Sequence, residues 1–151
     1  MPVVQADARS LPLANGSAQL VFSVFTHADL DGFGRLVEEC VLVLAPGGVF
    51  VYVGVHPCFV SPVAEPLADG VRLHPGYRQG GWKAQMAHTG NAVRRRVGVH
   101  HLSLEQLLLA VLHSEAPLDR VLERGDGPVP ELLAVRLSRP GRPGLGCLRT
   151  W

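Results

Sequence analysis

The residues best suited to chemistry in this sequence are histidines standing at the ends of apolar runs. Phe25, Thr26 and His27 follow the run at residues 20–24, His56 closes the run that begins at Val49, and His100 and His101 stand just before a helical pattern. A histidine titrates close to neutral pH, so His27 is the candidate general base for a weakly acidic hydroxyl or an ammonium. Its plain alternative is a histidine near a helix cap, beside Asp29 and Asp31. His56 and His101 join it as candidate catalytic residues that line a pocket. Seven histidines also invite a metal reading. However, no histidine pair has helical i, i+4 spacing with a glutamate between, and Pro57-Cys58 lacks the second cysteine of a zinc motif, so no metal site is expected. Arg94, Arg95 and Arg96 form the one charge run, which reads as a solvated face because a net charge of +1 offers no broad basic footprint for nucleic acid. Cys40 falls on an apolar helix face and reads as core.

Positioning those residues requires an α/β framework. Residues 3–6, 20–24 and 49–53 are short, β-branched and almost continuously apolar, the pattern of a parallel sheet covered on both faces. Between the last two, Phe33, Leu36, Val37, Cys40, Val41 and Leu44 share one face of a 3.6-residue period. Asp29 and Asp31 offer N-caps to this helix, and Pro46-Gly47-Gly48 stops it. Ligands of open α/β sheets lie beyond the carboxyl ends of the strands, which directs Phe25, Thr26 and His27 toward a site. Residues 56–99 are rich in Pro, Gly and His and predict an irregular segment, with Phe59, Tyr77 and Trp82 serving a lid or a pocket wall. Order returns over 100–138. Ser103 and Gln106 make a capping box, Leu102 and Leu107 a hydrophobic staple, and Leu104, Leu107, Leu108, Val111 and Leu112 a helical stripe. Two strands, 118–123 and 132–137, follow as a hairpin around Gly125-Asp126-Gly127-Pro128. Residues 139–151 read as a disordered Pro/Gly/Arg tail.

Several of these motifs carry a resemblance. Val4-Gln5-Ala6-Asp7-Ala8, Leu11-Pro12-Leu13, Ser17, Leu20-Val21-Phe22-Ser23, Leu36-Val37-Glu38-Glu39 and Val43-Leu44-Ala45-Pro46-Gly47-Gly48 resemble the class I S-adenosylmethionine-dependent methyltransferases, in their small-molecule, ubiquinone-biosynthesis-like branch. Gln19 departs from the pattern, which usually has Asp there, and residues 100–104 resemble a late segment of the same family. The resemblance implies the C-terminal part of a doubly wound, Rossmann-like sheet, strands three to seven, ending in an antiparallel hairpin. It implies S-adenosylmethionine as cofactor, with Asp7 and Ala8 holding the adenine and Phe25 and Thr26 beside the cofactor, and a small-molecule acceptor. It also implies a glycine-rich loop after a first strand and an acid after a second, ahead of what would be strand three. Gly80-Gly81 and the glycines from Gly141 to Gly146 follow no predicted strand and cannot replace that loop. The expectation is therefore an N-terminally truncated domain, with Met1 an alternative start in a longer frame and cofactor binding by this chain alone impaired. The other reading is a non-catalytic remnant or interaction module, self-associating through the exposed edge of strand four.

Bulk properties agree with a folded single domain over 1–138. Nearly half the residues are hydrophobic and charge is balanced, which excludes a disordered or collagenous chain. No apolar run reaches the roughly 18–20 residues of a membrane span. Three scattered cysteines, Cys40, Cys58 and Cys147, suggest no disulfide framework, and with no signal-like start they point to the cytoplasm.

Overall fold

The structure is a computed structural model that describes residues 3–84 and 92–141. Met1, Cys147 and positions 142–151 of the expected tail lie outside the described residues. The main sheet has four strands. β1 (Ala18–Val24) leads through a 3-10 turn (Thr26–Ala28) and α1 (Phe33–Val43) into β2 (Leu44–Val55). Two short pairings follow: β3 (Ala64–Leu67) with β4 (Gly70–Leu73), and β5 (Gly81–Lys83) with β6 (Val99–His101), the latter two flanking α2 (Ala92–Val97). Then come α3 (Leu104–Leu112), β7 (Leu118–Arg124) and β8 (Leu132–Ser138). The sheet order is β1-β2-β8-β7, with β1 and β2 parallel and β8 antiparallel to both of its neighbours. A parallel pair continued by an antiparallel hairpin agrees with the expected α/β sheet.

One face of the sheet makes the core. Phe50, Tyr52, Leu133, Val135 and Leu137 are buried there beneath Phe33, Leu36, Val37, Cys40 and Val41 of α1 and Leu107 and Val111 of α3. The α1 stripe is the one predicted except for Leu44, which opens β2 instead, and Cys40 sits in it as a core thiol whose pKa burial pushes up to about 11. At α3 the capping box is present in both directions: the Gln106 backbone N–H donates to Ser103 Oγ, and the Ser103 N–H donates to Gln106 Oε1. Leu107 belongs to the core cluster and Leu102 packs against that cluster, as a staple would have them.

Among the described residues, the opposite face is open. Register with β2 puts Leu20, Phe22 and Val24 beside Val49, Val51 and Val53. The first three are 53%, 64% and 53% exposed, and the valines are only half-buried.

Four expectations change. Residues 3–6 form no strand, because no described strand offers them a hydrogen-bonding partner; the chain instead turns at Asp7, whose carbonyl accepts from Ser10 N at 3.0 Å. The N-cap of α1 is Gly32, in the left-handed region at φ 82°, where no side-chain cap is needed, while Asp29 and Asp31 are used elsewhere. The helix stops before Pro46-Gly47-Gly48; these residues lie inside β2, where a register shift opposite Ala18 and Leu20 absorbs them. The 56–99 segment, expected to be irregular, contains the β3–β4 hairpin and contributes β5 to its pairing with β6.

Candidate functional site

Because β1 and β2 are parallel and paired through Val24↔Val53, they deliver their carboxyl ends to the same place. A cleft of about 610 Å³ opens there. Phe25 and Ala28 line it from the end of β1, Val55 from β2, and Phe59 to Pro62 from the turn that follows. The β3–β4 hairpin closes a second side with Ala64, Pro66, Leu67 and Val71, while the β7–β8 turn contributes Gly127, Pro128, Val129 and Glu131. Its volume lies within the roughly 300–1,000 Å³ of small-molecule sites. The lining is almost wholly apolar. Its two charged side chains are Arg94, which is ion-paired with Asp29, and Glu131, which is exposed at the rim.

Phe25 is the hinge of this arrangement. It takes the left-handed conformation at φ 58°, and its N–H donates to Val53 O at 2.8 Å. A non-glycine residue in such a region costs about 1–3 kcal/mol and persists where the surroundings over-determine it. Next to it, Thr26 Oγ1 and Ser23 Oγ share a hydrogen bond of 2.5 Å, which closes the 3-10 turn against β1.

His27 is buried below that turn. Its Nδ1 is hydrogen-bonded to the Tyr52 hydroxyl, and both rings pack edge-on against each other and against Phe33. Burial keeps the Tyr52 phenol protonated and pushes the His27 pKa down to about 4, helped by the nearby His100 and His101 and opposed by Asp29. The packing is close enough that a Cβ on Gly54 would fall 1.8 Å from the Tyr52 oxygen. Among the described lining residues of the cleft His27 does not appear, so it supports the wall.

The other histidines are also partnered within walls. His56 is buried, bonds Glu123 through Nε2 at 2.7 Å, accepts from Cys58 N–H at Nδ1 and lies against Phe59, which does line the cleft. His101 donates from Nε2 to Tyr77 O at 2.7 Å, and desolvation lowers its pKa. Tyr77 is tied in turn to Cys58 Sγ at 3.1 Å and to the Leu104 N–H at 2.8 Å, which fixes the start of α3. His100 lies 3.3 Å from an Asp31 oxygen, and its Nδ1 is buried with no hydrogen-bond partner among the described residues. No group of three or more His, Cys, Asp or Glu among the described residues could hold a metal ion.

Asp7 stands apart from the cleft, in the turn before β1. Its carboxylate accepts from the Arg9 backbone N–H at 2.9 Å and from the Arg9 guanidinium at 3.0 and 2.8 Å, which lowers its pKa to about 2. A carboxylate has about four lone-pair sites, so capacity for one further donor remains. Ala8 packs against the main core. The structure thus brings Phe25, Thr26 and His27 together at one strand end and sets His56 and His101 in the supporting walls. Sequence reasoning missed Tyr52, Ser61 and the Asp29–Arg94 pair. Tyr52 read as an ordinary strand residue, Arg94 as part of a solvated run, and Ser61 carried no signal at all.

The first 52 residues match the family described as a methyltransferase domain. Malonyl-(acyl-carrier protein) O-methyltransferase 1 of Coxiella burnetii is 31% identical over 104 residues, covering 66% of this chain and 37% of the relative. Malonyl-(acyl-carrier protein) O-methyltransferase of Methylococcus capsulatus is 31% identical over 137 residues, covering 89% and 42%. The chain therefore spans well under half the length of these curated relatives. Among solved structures, an S-adenosylmethionine-dependent methyltransferase from Mesorhizobium loti superimposes with a TM-score of 0.69 at 21% identity, over 89% of this chain and 67% of that one. The sheet and its helices define a Rossmann-like α/β fold of methyltransferase type. Sequence and fold together thus make this chain similar to S-adenosylmethionine-dependent methyltransferases, by a family match over its first 52 residues, by two curated relatives and by the fold.

Proposed function

We propose that this chain forms the acceptor side of an S-adenosylmethionine-dependent methyl transfer to a small molecule with an apolar body. The observation that carries this reading is the apolar cleft at the carboxyl ends of the parallel pair β1 and β2, with Phe25 held in a left-handed turn at its edge. Methyl transfer from a sulfonium depends chiefly on in-line placement of the acceptor, and a preformed cleft supplies placement. The cofactor lies on the Asp7 side of Phe25 and Thr26, with the free capacity of the Asp7 carboxylate accepting from the adenine amino group. His27, His56 and His101 serve through the walls they hold: His27 through Tyr52 under the Phe25 turn, His56 through Phe59, and His101 through Tyr77. Among the described residues no strand is followed by a glycine-rich turn into a helix, so the contacts available to the cofactor are few. The 151-residue chain alone accordingly binds S-adenosylmethionine more weakly than micromolar, and soluble expression in the cytoplasm is the setting this reading assumes.

The test is titration of the isotopically labelled chain with S-adenosylhomocysteine, followed by amide shifts. Shifts at Asp7, Ala8, Phe25 and Thr26 at millimolar ligand, reduced by Asp7→Ala, are the expected result. Unmoved amides at all four positions would overturn the cofactor placement. Micromolar binding in calorimetry would overturn the impairment. A second reading, an interaction module built on the methyltransferase fold, is favoured by one observation, the bare apolar edge and face of β1.

A further inference from the structure

Ser61 is the one uncharged polar side chain among the described residues that line the cleft. It is 9% exposed, and its hydroxyl has no hydrogen-bond partner among the described residues. Its backbone is in use, since Ser61 O accepts from Ala64 N at 3.0 Å and so sets the turn into β3. The side chain adds nothing to that turn. A buried hydroxyl left without a partner is costly, and buried polar groups in folded proteins are nearly always satisfied. Its neighbours in the lining, Phe59, Val60 and Pro62, are apolar, and of the two charges of the cleft Arg94 is engaged on Asp29 and Glu131 is exposed.

We propose that Ser61 is the specificity-determining contact of the cleft, donating its hydroxyl proton to a carbonyl or ether oxygen on an otherwise apolar acceptor. The proposal rests on the reading of the cleft as the acceptor side. A serine has one side-chain torsion between heavy atoms, so a change of staggered rotamer is all the hydroxyl needs to turn toward a bound ligand. With a ligand oxygen present, the hydroxyl gains its missing partner. An analogue lacking that oxygen leaves it orphaned, and sites built this way reject such analogues more strongly than apolar contact alone achieves. The rest of the lining, Phe25, Val55, Phe59 and Val129 among it, grips the apolar body without reading its polarity.

The experiment uses the full chain and a pair of probes of nearly the same shape, acetophenone and ethylbenzene, with amide shifts both locating and measuring binding. Location matters, because the open sheet face also attracts apolar probes. Both should shift the amides of Val60, Ser61 and Val129. Ser61→Ala should weaken acetophenone about five- to tenfold, the worth of one net hydrogen bond, and leave ethylbenzene unchanged. It should also leave thermal stability equal or raised, because it removes an unsatisfied group. Equal acetophenone binding in parent and variant would overturn the role of Ser61 while leaving the cleft reading standing. Loss of both probes together with lower stability would make Ser61 a structural residue and overturn the proposal. Failure of either probe to move the cleft amides in the parent chain would overturn the cleft reading itself, and this proposal with it.

Discussion

His27 is neutral in the folded chain, and its neutrality sets how stability answers to acid. Its pKa falls from 6.5 to about 4 because the ring is desolvated; His100, His101 and Arg94 act in the same direction, and Asp29 opposes them. A group whose folded pKa is depressed gives its stability above the unfolded value, and that stability drains away as pH falls toward the folded one. For His27 the window runs from 6.5 down to about 4. The loss across it is roughly 3.5 kcal/mol at most, since one pKa unit is about 1.4 kcal/mol. His101 is shifted the same way and adds to the same window. Asp7, held near 2, and Asp119, also lowered, release their contributions only below 3.8, so they do not blur it. Urea unfolding of the parent and of His27→Gln across this range should show a steep fall in the parent and a shallower one in the variant. Parallel profiles would mean that His27 is protonated in the folded state, against its burial. Tyr52, which fixes the other end of this pair, could not be recognised beforehand: the two residues are 25 positions apart, and only the fold brings them together.

At the scale of elements, what was legible was what depends on local pattern. The stripe of α1, the capping box of α3 and the β7–β8 hairpin are written in consecutive residues, and all three stand as expected but for Leu44, which falls in β2. What was not legible depends on neighbours distant in the chain. Residues 3–6 have the composition of a strand, yet a strand in a parallel sheet exists only beside another, and none among the described residues pairs with them. The β3–β4 hairpin contains Pro66 and Asp69 and so read as irregular; it forms because an isolated two-stranded pair tolerates a proline that a central strand would not. The cleft was foreseeable in position, from the rule of strand carboxyl ends, but not in its lining, half of which comes from that unforeseen hairpin and the β7–β8 turn. The capping box is the element-level feature with the clearest energetic weight. Ser103 is buried and satisfies the Gln106 N–H, so Ser103→Ala should lower stability by about 1 kcal/mol. Ser103→Asp should restore most of it, because an aspartate caps as well. Equal loss in both variants would show that packing at Ser103, not capping, carries the effect.

Among the described residues, the sheet is covered by helices on one side only. Helices α1 and α3 bury one face, while the other presents Leu20, Phe22 and Val24 to solvent beside Val49, Val51 and Val53. The same strand, β1, is the sheet's edge, with one side of its backbone paired to β2 and the other unpaired in the sheet. Natural sheets protect such edges with charges, prolines or cover, and β1 reads Ala18, Gln19, Leu20, Val21, Phe22, Ser23, Val24, with none of the first two. A bare edge and a bare apolar face on one strand act together: an incoming strand satisfies the backbone, and whatever it carries covers the side chains. A second copy of the chain can supply both, which predicts self-association of the isolated 151-residue protein that deepens with concentration. Phe22 is the residue to change, because it is the most exposed of the three and points away from the core that Val21 and Ser23 face. Phe22→Lys should leave the fold intact, shift the sedimentation profile toward monomer and reduce the fluorescence of a bound hydrophobic dye. The core-facing Phe50→Lys serves as the contrast, since it should unfold the chain outright. If the parent protein sediments as a monomer at every concentration tried and leaves the dye dark, the open face is not an adhesive surface, and the interaction-module reading goes with it.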